Sequence, residues 1–431
     1  MKQIFALKGH IIDCDAQKKV RFCPDSHLLI ENGLCLGVFP QLPAAYANVP
    51  VRDHGDKLIL PGFVDLHLHA SQYANRGLGL DLELLQWLEQ YTFPQESKFA
   101  CLDYACSIYR AFCRELRQGP VTRACIFATL HTPATLRLMD MLEESGLVAY
   151  VGKVNMDRNA PDDLREAGPE QAAADTRRWL AETAARGYRR VKPILTPRFA
   201  PSCSPDLLRL LGEMAREGHL PVQSHLSENR DEVALVKRLF PDSPHYAGVY
   251  AQYGLLEAGI PAIMAHGLYL QPAEVELLGQ CGAFIAHCPS SNANLASGIA
   301  PVKALMEAGV PVGLGSDIGA GHSMNLLRLT AQAVACSKLL QRQTAAGNAT
   351  LRLEEAFYLA TRGGGAFFGK AGAFSPGFAA DAVVLDDARI RLPQDSLEQR
   401  WQKLFYLGDE REICAKYVNG VPIDLQGQNQ R

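Results

Sequence analysis

The sequence predicts an α/β protein: a closed (β/α)8 barrel of the TIM type, with a small β-sandwich domain built from both chain ends. Three observations predict it. Eight short apolar runs recur between residues 58 and 317, and most end in a polar or metal-competent side chain. Stretches with helical periodicity separate many of them. Both ends of the chain lack that periodicity and break into short strands. Strand alternating with helix argues a parallel sheet, and eight such units argue a closed barrel.

In order, the runs are Leu58 to Val64, Val121 to Thr129, Val148 to Asp157, Arg189 to Arg198, Leu220 to Leu226, Ala262 to Gly267, Ala283 to Asn292 and Val310 to Asp317. Helical stretches include Leu82 to Gln90, Asp103 to Arg117, Glu170 to Arg186 and Ser204 to Glu217, with a further helix from Asn229 to Phe240. The barrel is assigned residues 61–370, and the sandwich residues 1–60 with 371–431. Met1 to Asp15 reads as an edge strand. Phe374 to Phe378 is a turn, Ala382 to Leu385 a strand, and Lys416 to Ile423 a hairpin around Asn419-Gly420, a dipeptide suited to the tight turn between antiparallel strands. Gly363-Gly364-Gly365 follows the helix Leu353 to Thr361 and reads as its C-cap. No strand precedes these glycines and no Lys-Ser/Thr follows, so they do not form a phosphate loop.

Bulk properties exclude several partners. A formal net charge of −3 over 431 residues leaves no basic footprint for nucleic acid or an acidic membrane surface. No apolar run reaches the roughly 18 residues a membrane helix needs. Twelve cysteines lie scattered without CxxC pairing, which fits reduced core thiols in a cytoplasmic protein better than a disulfide framework.

The chemistry gathers at the strand ends. His67 and His69 sit two apart in Pro61-Gly62-Phe63-Val64-Asp65-Leu66-His67-Leu68-His69. Residues i and i+2 of a strand share a face, so both imidazoles can reach one ion. His225 and Asp317 fall at the ends of later strands and complete a ligand set. Three neutral imidazoles and one carboxylate suit a single divalent ion, Zn²⁺ ahead of Fe²⁺, which would activate a water near neutral pH. Glu228, three residues past His225, is placed to act as general acid and base, and His266 to orient the water. The bland alternatives are a Glu228 that caps the following helix and a His266 that is a satisfied core histidine. Lys192 raises the alternative of a carboxylated lysine bridging two metals. It lies toward the start of its strand, which favours one metal.

This set resembles the amidohydrolase superfamily, specifically its mononuclear deaminases. Longer segments resemble the guanine deaminases within it: Ala70-Ser71-Gln72-Tyr73, Leu84 to Pro94 with its Tyr91-Thr92-Phe93-Pro94, Thr196 to Cys203 with Pro197-Arg198-Phe199, His225 to Val233, Ala265-His266-Gly267 and Ala286 to Asn292. The resemblance spans essentially the whole barrel. It implies hydrolysis of guanine to xanthine and ammonia, with Asp317 joining Glu228 and His266 in catalysis. It also implies that Gln72 and Arg198 hydrogen-bond the purine at its six-oxo and imidazole edge while Phe199 packs against it. Trp87, counted among the substrate contacts, and Tyr91 either close the pocket or simply pack. Asn75-Arg76 and His322 differ from the family's expected loops, and relatives imply a homodimer. Two competing readings remain: a hydrolase of another purine, pyrimidine or triazine, and a metal-free scaffold relative. The complete ligand set with Glu228 argues against the scaffold.

Overall fold

The apolar run Leu58 to Val64 is two strands rather than one. Gly62 divides it: the amide of Gly62 donates to Asp381 O at 2.9 Å, and a Cβ there would lie 2.2 Å from Thr122 Oγ1. Val51–Pro61 therefore belongs to a sheet built from the chain ends, while Phe63–His69 starts the parallel part of the fold. The computed structural model describes residues 4–344 and 349–426.

Two four-stranded parallel sheets carry the site. One holds Phe63–His69, Val121–Phe127, Val148–Gly152 and Val191–Pro193; the other holds Val222–Leu226, Ala262–His266, Phe284–His287 and Val312–Leu314. Leu195 pairs with Val222 in parallel between the two sheets. On the other side, the amide of Asp317 donates to His67 O at 2.8 Å. Two expected strands are interrupted, and their distal pieces, Val154–Asn155 and Thr196–Pro197, pair separately. The expected strand through Asn292 ends at His287, and Asn292 sits on the helix Pro289–Asn294. The helices Leu102–Gln118, Pro169–Arg186, Pro205–Gly218 and Arg230–Leu239 form as the periodicity predicts. Leu82 to Gln90 departs from it. Only Leu84–Trp87 is α-helical, and Leu88–Thr92 widens into a π-turn.

Both chain ends meet in one hydrogen-bonded sheet of seven strands, where a sandwich of two sheets is expected. Its order is Val421–Pro422, Ile413–Val418, Ala382–Leu385, Val51–Pro61, Ile4–Cys14, Val20–Glu31 and Leu34–Phe39. The N-terminal strand is thus interior, not an edge. Its own sequence gives no sign of this, because one of its neighbours, Val51–Pro61, lies outside the N-terminal hairpin. Alternation assigns the two faces. Leu58, Leu60, Val383 and Leu385 pack into the large core shared with the helices, while Ile59, Ala382 and Val384 join Phe5, Leu28 and Phe374 in a second cluster. The Asn419-Gly420 turn forms with positive φ at both residues, 49° and 73°. Residues 1–3 and 427–431 of the assigned small domain lie outside the described residues. The triple glycine is not a helix C-cap. Gly364 and Gly365 keep right-handed helical dihedrals, and a Cβ on Gly365 would lie 2.3 Å from Ala371 O, so small size is what the position requires. Among the described residues, no helix is long and apolar enough to cross a membrane.

One lysine ties the seven-stranded sheet to the parallel unit. Buried Lys416 donates through Nζ to Leu116 O, Gly119 O and Val121 O at 3.1, 2.8 and 2.9 Å, at the C-terminal end of the helix Leu102–Gln118. Burial, then the nearby Arg117, pushes the Lys416 amine well below the ordinary lysine range, so its hold on these carbonyls rests on hydrogen-bond donation. Lys416→Met should destabilise the fold by about 2–4 kcal/mol, because buried carbonyls lose their donor. Urea unfolding measures this, and a loss below about 0.5 kcal/mol would contradict the capping role.

Candidate active site

Four imidazoles converge at the carboxyl ends of the parallel strands. His69 ends its strand, His67 lies two residues before it, His225 sits near the end of Val222–Leu226, and His266 ends Ala262–His266. His69 Nε2 and His225 Nε2 are 3.1 Å apart. Asp317 Oδ1 lies 3.3 Å from His67 Nε2 and 3.4 Å from His69 Nε2. Two overlapping groups have mutually close ligand atoms: His67 with His69 and His225, and His67 with His266 and Asp317. His266 thus stands among the potential ligands as well as beside the water position assigned to it.

The donor chemistry fits a divalent cation. Nδ1 of His67 is buried without a hydrogen-bond partner, and its Nε2 faces the Asp317 carboxylate at 3.3 Å. A buried ring nitrogen left without a partner is costly unless something else takes up its lone pair. His225 Nδ1 lies 2.6 Å from Arg198 O, which makes that nitrogen the N–H donor and leaves Nε2 as a lone pair facing the cluster. Burial, followed by the neighbouring His67, pushes His69 and His225 well below the ordinary histidine range. Burial also takes His266 down to about 4. Neutral imidazoles are the form that ligates.

The two carboxylates diverge. Burial, then the charge of Asp317, pushes Glu228 well above the ordinary carboxylate range. Burial works in the same direction on Asp317, but the histidines around it outweigh that and hold its carboxyl well below the range. A protonated Glu228 faces His266 Nε2 at 3.4 Å. Glu228 does not cap the following helix. Asn229 accepts from Asp231 N at 2.8 Å, and Glu232 accepts from the amides of Glu228 and Asn229 at 2.8 and 3.1 Å, so the Glu228 carboxyl remains free for the site. Asp317 and His266 hold left-handed backbone conformations, φ 48° and 78°, which non-glycine residues keep only where their surroundings enforce them.

Beside this cluster opens a pocket with about 370 Å³ of empty space, lined by His69, His225, Glu228 and Asp317 on one side. Gln72, Arg198, Phe199, Trp87, Leu84, Leu88, Leu295 and Ala320 form the rest of its wall. Trp87 Nε1 donates to Leu78 O at 3.0 Å, so its ring is a fixed wall. Tyr91 is exposed and is not part of the lining. Lys192 is exposed on its strand, away from the cluster. His322 is an exposed loop residue near Ser290 and Asn294. His287 is buried and held near 3 by burial, outside both ligand groups.

The Amidohydrolase family model matches residues 58–423. Guanine deaminase of Dictyostelium discoideum is 41% identical over 383 residues, covering 86% of this chain and 84% of the relative. The Homo sapiens guanine deaminase is 40% identical, with 85% and 83% covered. The crystal structure of guanine deaminase from C. acetobutylicum with bound guanine in the active site superposes with a TM-score of 0.95 at 42% identity, covering 98% of this chain and 100% of that one. This chain belongs to the amidohydrolase family.

Three residues of this amidohydrolase's site escaped sequence reasoning. Asp65, inside the His-x-His segment, accepts from Ser316 N at 3.0 Å and His67 N at 3.2 Å and so ties the first strand to the loop before Asp317. Burial lifts its carboxyl to about 6 against those donors. Asn292 holds His266 through Nδ1 at 2.9 Å. Glu96 forms a buried ion pair with Arg198. It lies two residues past Tyr91-Thr92-Phe93-Pro94, in a mixed polar stretch whose sequence carries no sign of the pairing.

A chelator should remove the bound divalent ion and lower Tm, and adding metal back should restore it. Saturation at 100 times Kd stabilises a fold by about 2.7 kcal/mol. His67→Ala should abolish the difference. A wild-type Tm indifferent to both treatments would refute ion binding at this cluster.

Proposed function

We infer that this protein hydrolyses guanine to xanthine and ammonia. One observation carries the reading: a single pocket joins the buried histidine and aspartate cluster to Gln72, Arg198 and Phe199. The chain that holds it is 42% identical, over nearly its whole length, to a deaminase crystallised with guanine. The two four-stranded sheets are read as one closed barrel, supported by the Leu195–Val222 pairing and the Asp317–His67 hydrogen bond across the two gaps. Residues 61–370 form that unit in this reading, and 1–60 with 371–431 the small domain.

In this mechanism His67, His69, His225 and Asp317 would hold one ion per chain. Zn²⁺ is favoured over Fe²⁺ by the nitrogen and oxygen donors and by the usual affinity order. The bound ion supplies Lewis acidity that makes water acidic enough to react near neutral pH. Arg198 and Gln72 orient the purine, and Phe199 and Trp87 confine it, so that C2 faces the water. Asp317, held ionised, accepts the water's proton as oxygen bonds to C2. Glu228, held protonated, delivers a proton to the ring nitrogen beside C2. As the C–N bond breaks, the departing amine takes the proton held by Asp317 and leaves as ammonia, and the new hydroxyl on C2 gives its proton back to Glu228 as the C2 carbonyl forms. His266, neutral and fixed by Asn292, orients the water. Twelve free cysteines support cytoplasmic residence. A homodimer completes the reading.

Guanine should be turned over and adenine and cytosine should be poor substrates, as followed by ultraviolet loss and ammonia release. Equal turnover of adenine would refute the assignment. Glu228→Gln should keep its metal and lose about 10²–10⁴-fold in kcat, the usual worth of a positioned proton donor. Asp317→Asn should lose metal and activity together. Near-normal turnover of Glu228→Gln at full metal content would move the acid role to His266.

A further inference from the structure

Glu96 is 4% exposed and ends the short helix Phe93–Glu96. Its Oε1 accepts from Gln72 Nε2 at 3.0 Å and from Ser71 Oγ at 3.4 Å, while Oε2 pairs with Arg198 Nη1. Thus one carboxylate holds both polar residues of the pocket wall. We propose that Glu96 is a positioning residue that sets the hydrogen-bond polarity of the purine pocket, fixing Gln72 as an acceptor and Arg198 as a donor toward the substrate. The inference rests on the guanine-hydrolysing reading.

A carboxylate paired with a guanidinium only accepts hydrogen bonds. The atom of Gln72 that meets it must therefore be the amide nitrogen, and Oε1 is left for the pocket. Gly319 keeps that oxygen clear, since a Cβ at 319 would lie 2.6 Å from it. Arg198 commits one nitrogen to Glu96, and its guanidinium is steadied by the Phe93 ring at 5.4 Å, leaving further N–H groups for the pocket it lines. An acceptor beside a donor matches a ring N–H next to the six-oxo oxygen. Without Glu96, Gln72 could turn its amide over and present N–H groups to N–H, and Arg198 would lose its anchor. The role acts through Gln72 and Arg198, so Glu96 itself touches no reacting atom.

The test is steady-state kinetics on the metal-loaded enzyme. Glu96→Gln, nearly isosteric, should raise the KM for guanine about 10-fold or more, the scale set by leaving buried polar groups mismatched. Metal content should be unchanged, and kcat should fall less than KM rises. In a Gln72→Met background, which has no amide to orient, the same substitution should have clearly less effect. Glu96→Asp keeps the charge but draws it back from Gln72, and serves if Glu96→Gln does not fold; it should show the same KM-weighted loss. A KM within twofold of wild type, effects of Glu96→Gln and Gln72→Met that multiply independently, or failure of both Glu96 variants to fold would overturn the proposal. If wild type is inert toward guanine, the functional reading falls and takes this inference with it. If wild type is active and Glu96→Gln is silent, only the inference falls.

Discussion

The site depends on keeping imidazoles uncharged in a buried volume. His67, His69, His225 and His266 share that volume, with the Phe127 ring packed 4.7 to 4.9 Å from three of them. A proton on His69, His225 or His266 would cost its solvation, so burial depresses the basicity of these three and preserves lone pairs for a cation. The same burial acts on two carboxylates with opposite outcomes. Asp317 stands among the histidines and stays ionised, whereas Glu228 stands beside Asp317 and is driven to protonate. Separated proton affinities of this kind are how one pocket supplies both an acid and a base.

That arrangement has to be held rigid, and the surrounding polar contacts do so by using buried charge sparingly. Arg123 Nε donates to Asp381 Oδ2 at 2.6 Å and its Nη2 to Asn419 Oδ1 at 2.8 Å, linking the second parallel strand to the C-terminal hairpin. Lys416 does the same for the preceding helix. Close to the pocket, Arg198 O fixes His225, Asn292 fixes His266 and Asp65 fixes the loop of Asp317. The ligands stand on strand ends, and their tautomers and orientations are set by residues one layer out.

What was legible in the sequence was what local geometry dictates. Two histidines with spacing two on a strand share a face wherever the strand goes, and a histidine ending an apolar run lands at a strand tip. The Asn419-Gly420 hairpin was equally plain. What could not be read was decided by distant partners. Glu96 meets Arg198 across 102 residues, and nothing near either residue specifies the pairing. Gly62 looked like an interruption within one strand, and it became a boundary because Thr122 crowds it. The N-terminal strand seemed an edge because one of its neighbours lies beyond the hairpin that begins the chain. Gly363 to Gly365 resembled a helix stop, but close packing rather than a left-handed turn is what selects glycine at Gly365.

The pairing of Val51–Pro61 with Ala382–Leu385 also has a consequence in time. During synthesis at about 5–20 residues per second, the first strand waits on the order of tens of seconds before its partner exists. Through that interval Leu58, Ile59 and Leu60 present an open ladder on the side away from Ile4–Cys14, which already pairs with their strand. The small domain is therefore the last part to close, although half of it is the first part made. A nascent chain of this protein must carry a sticky, unfinished edge until its final strands leave the ribosome.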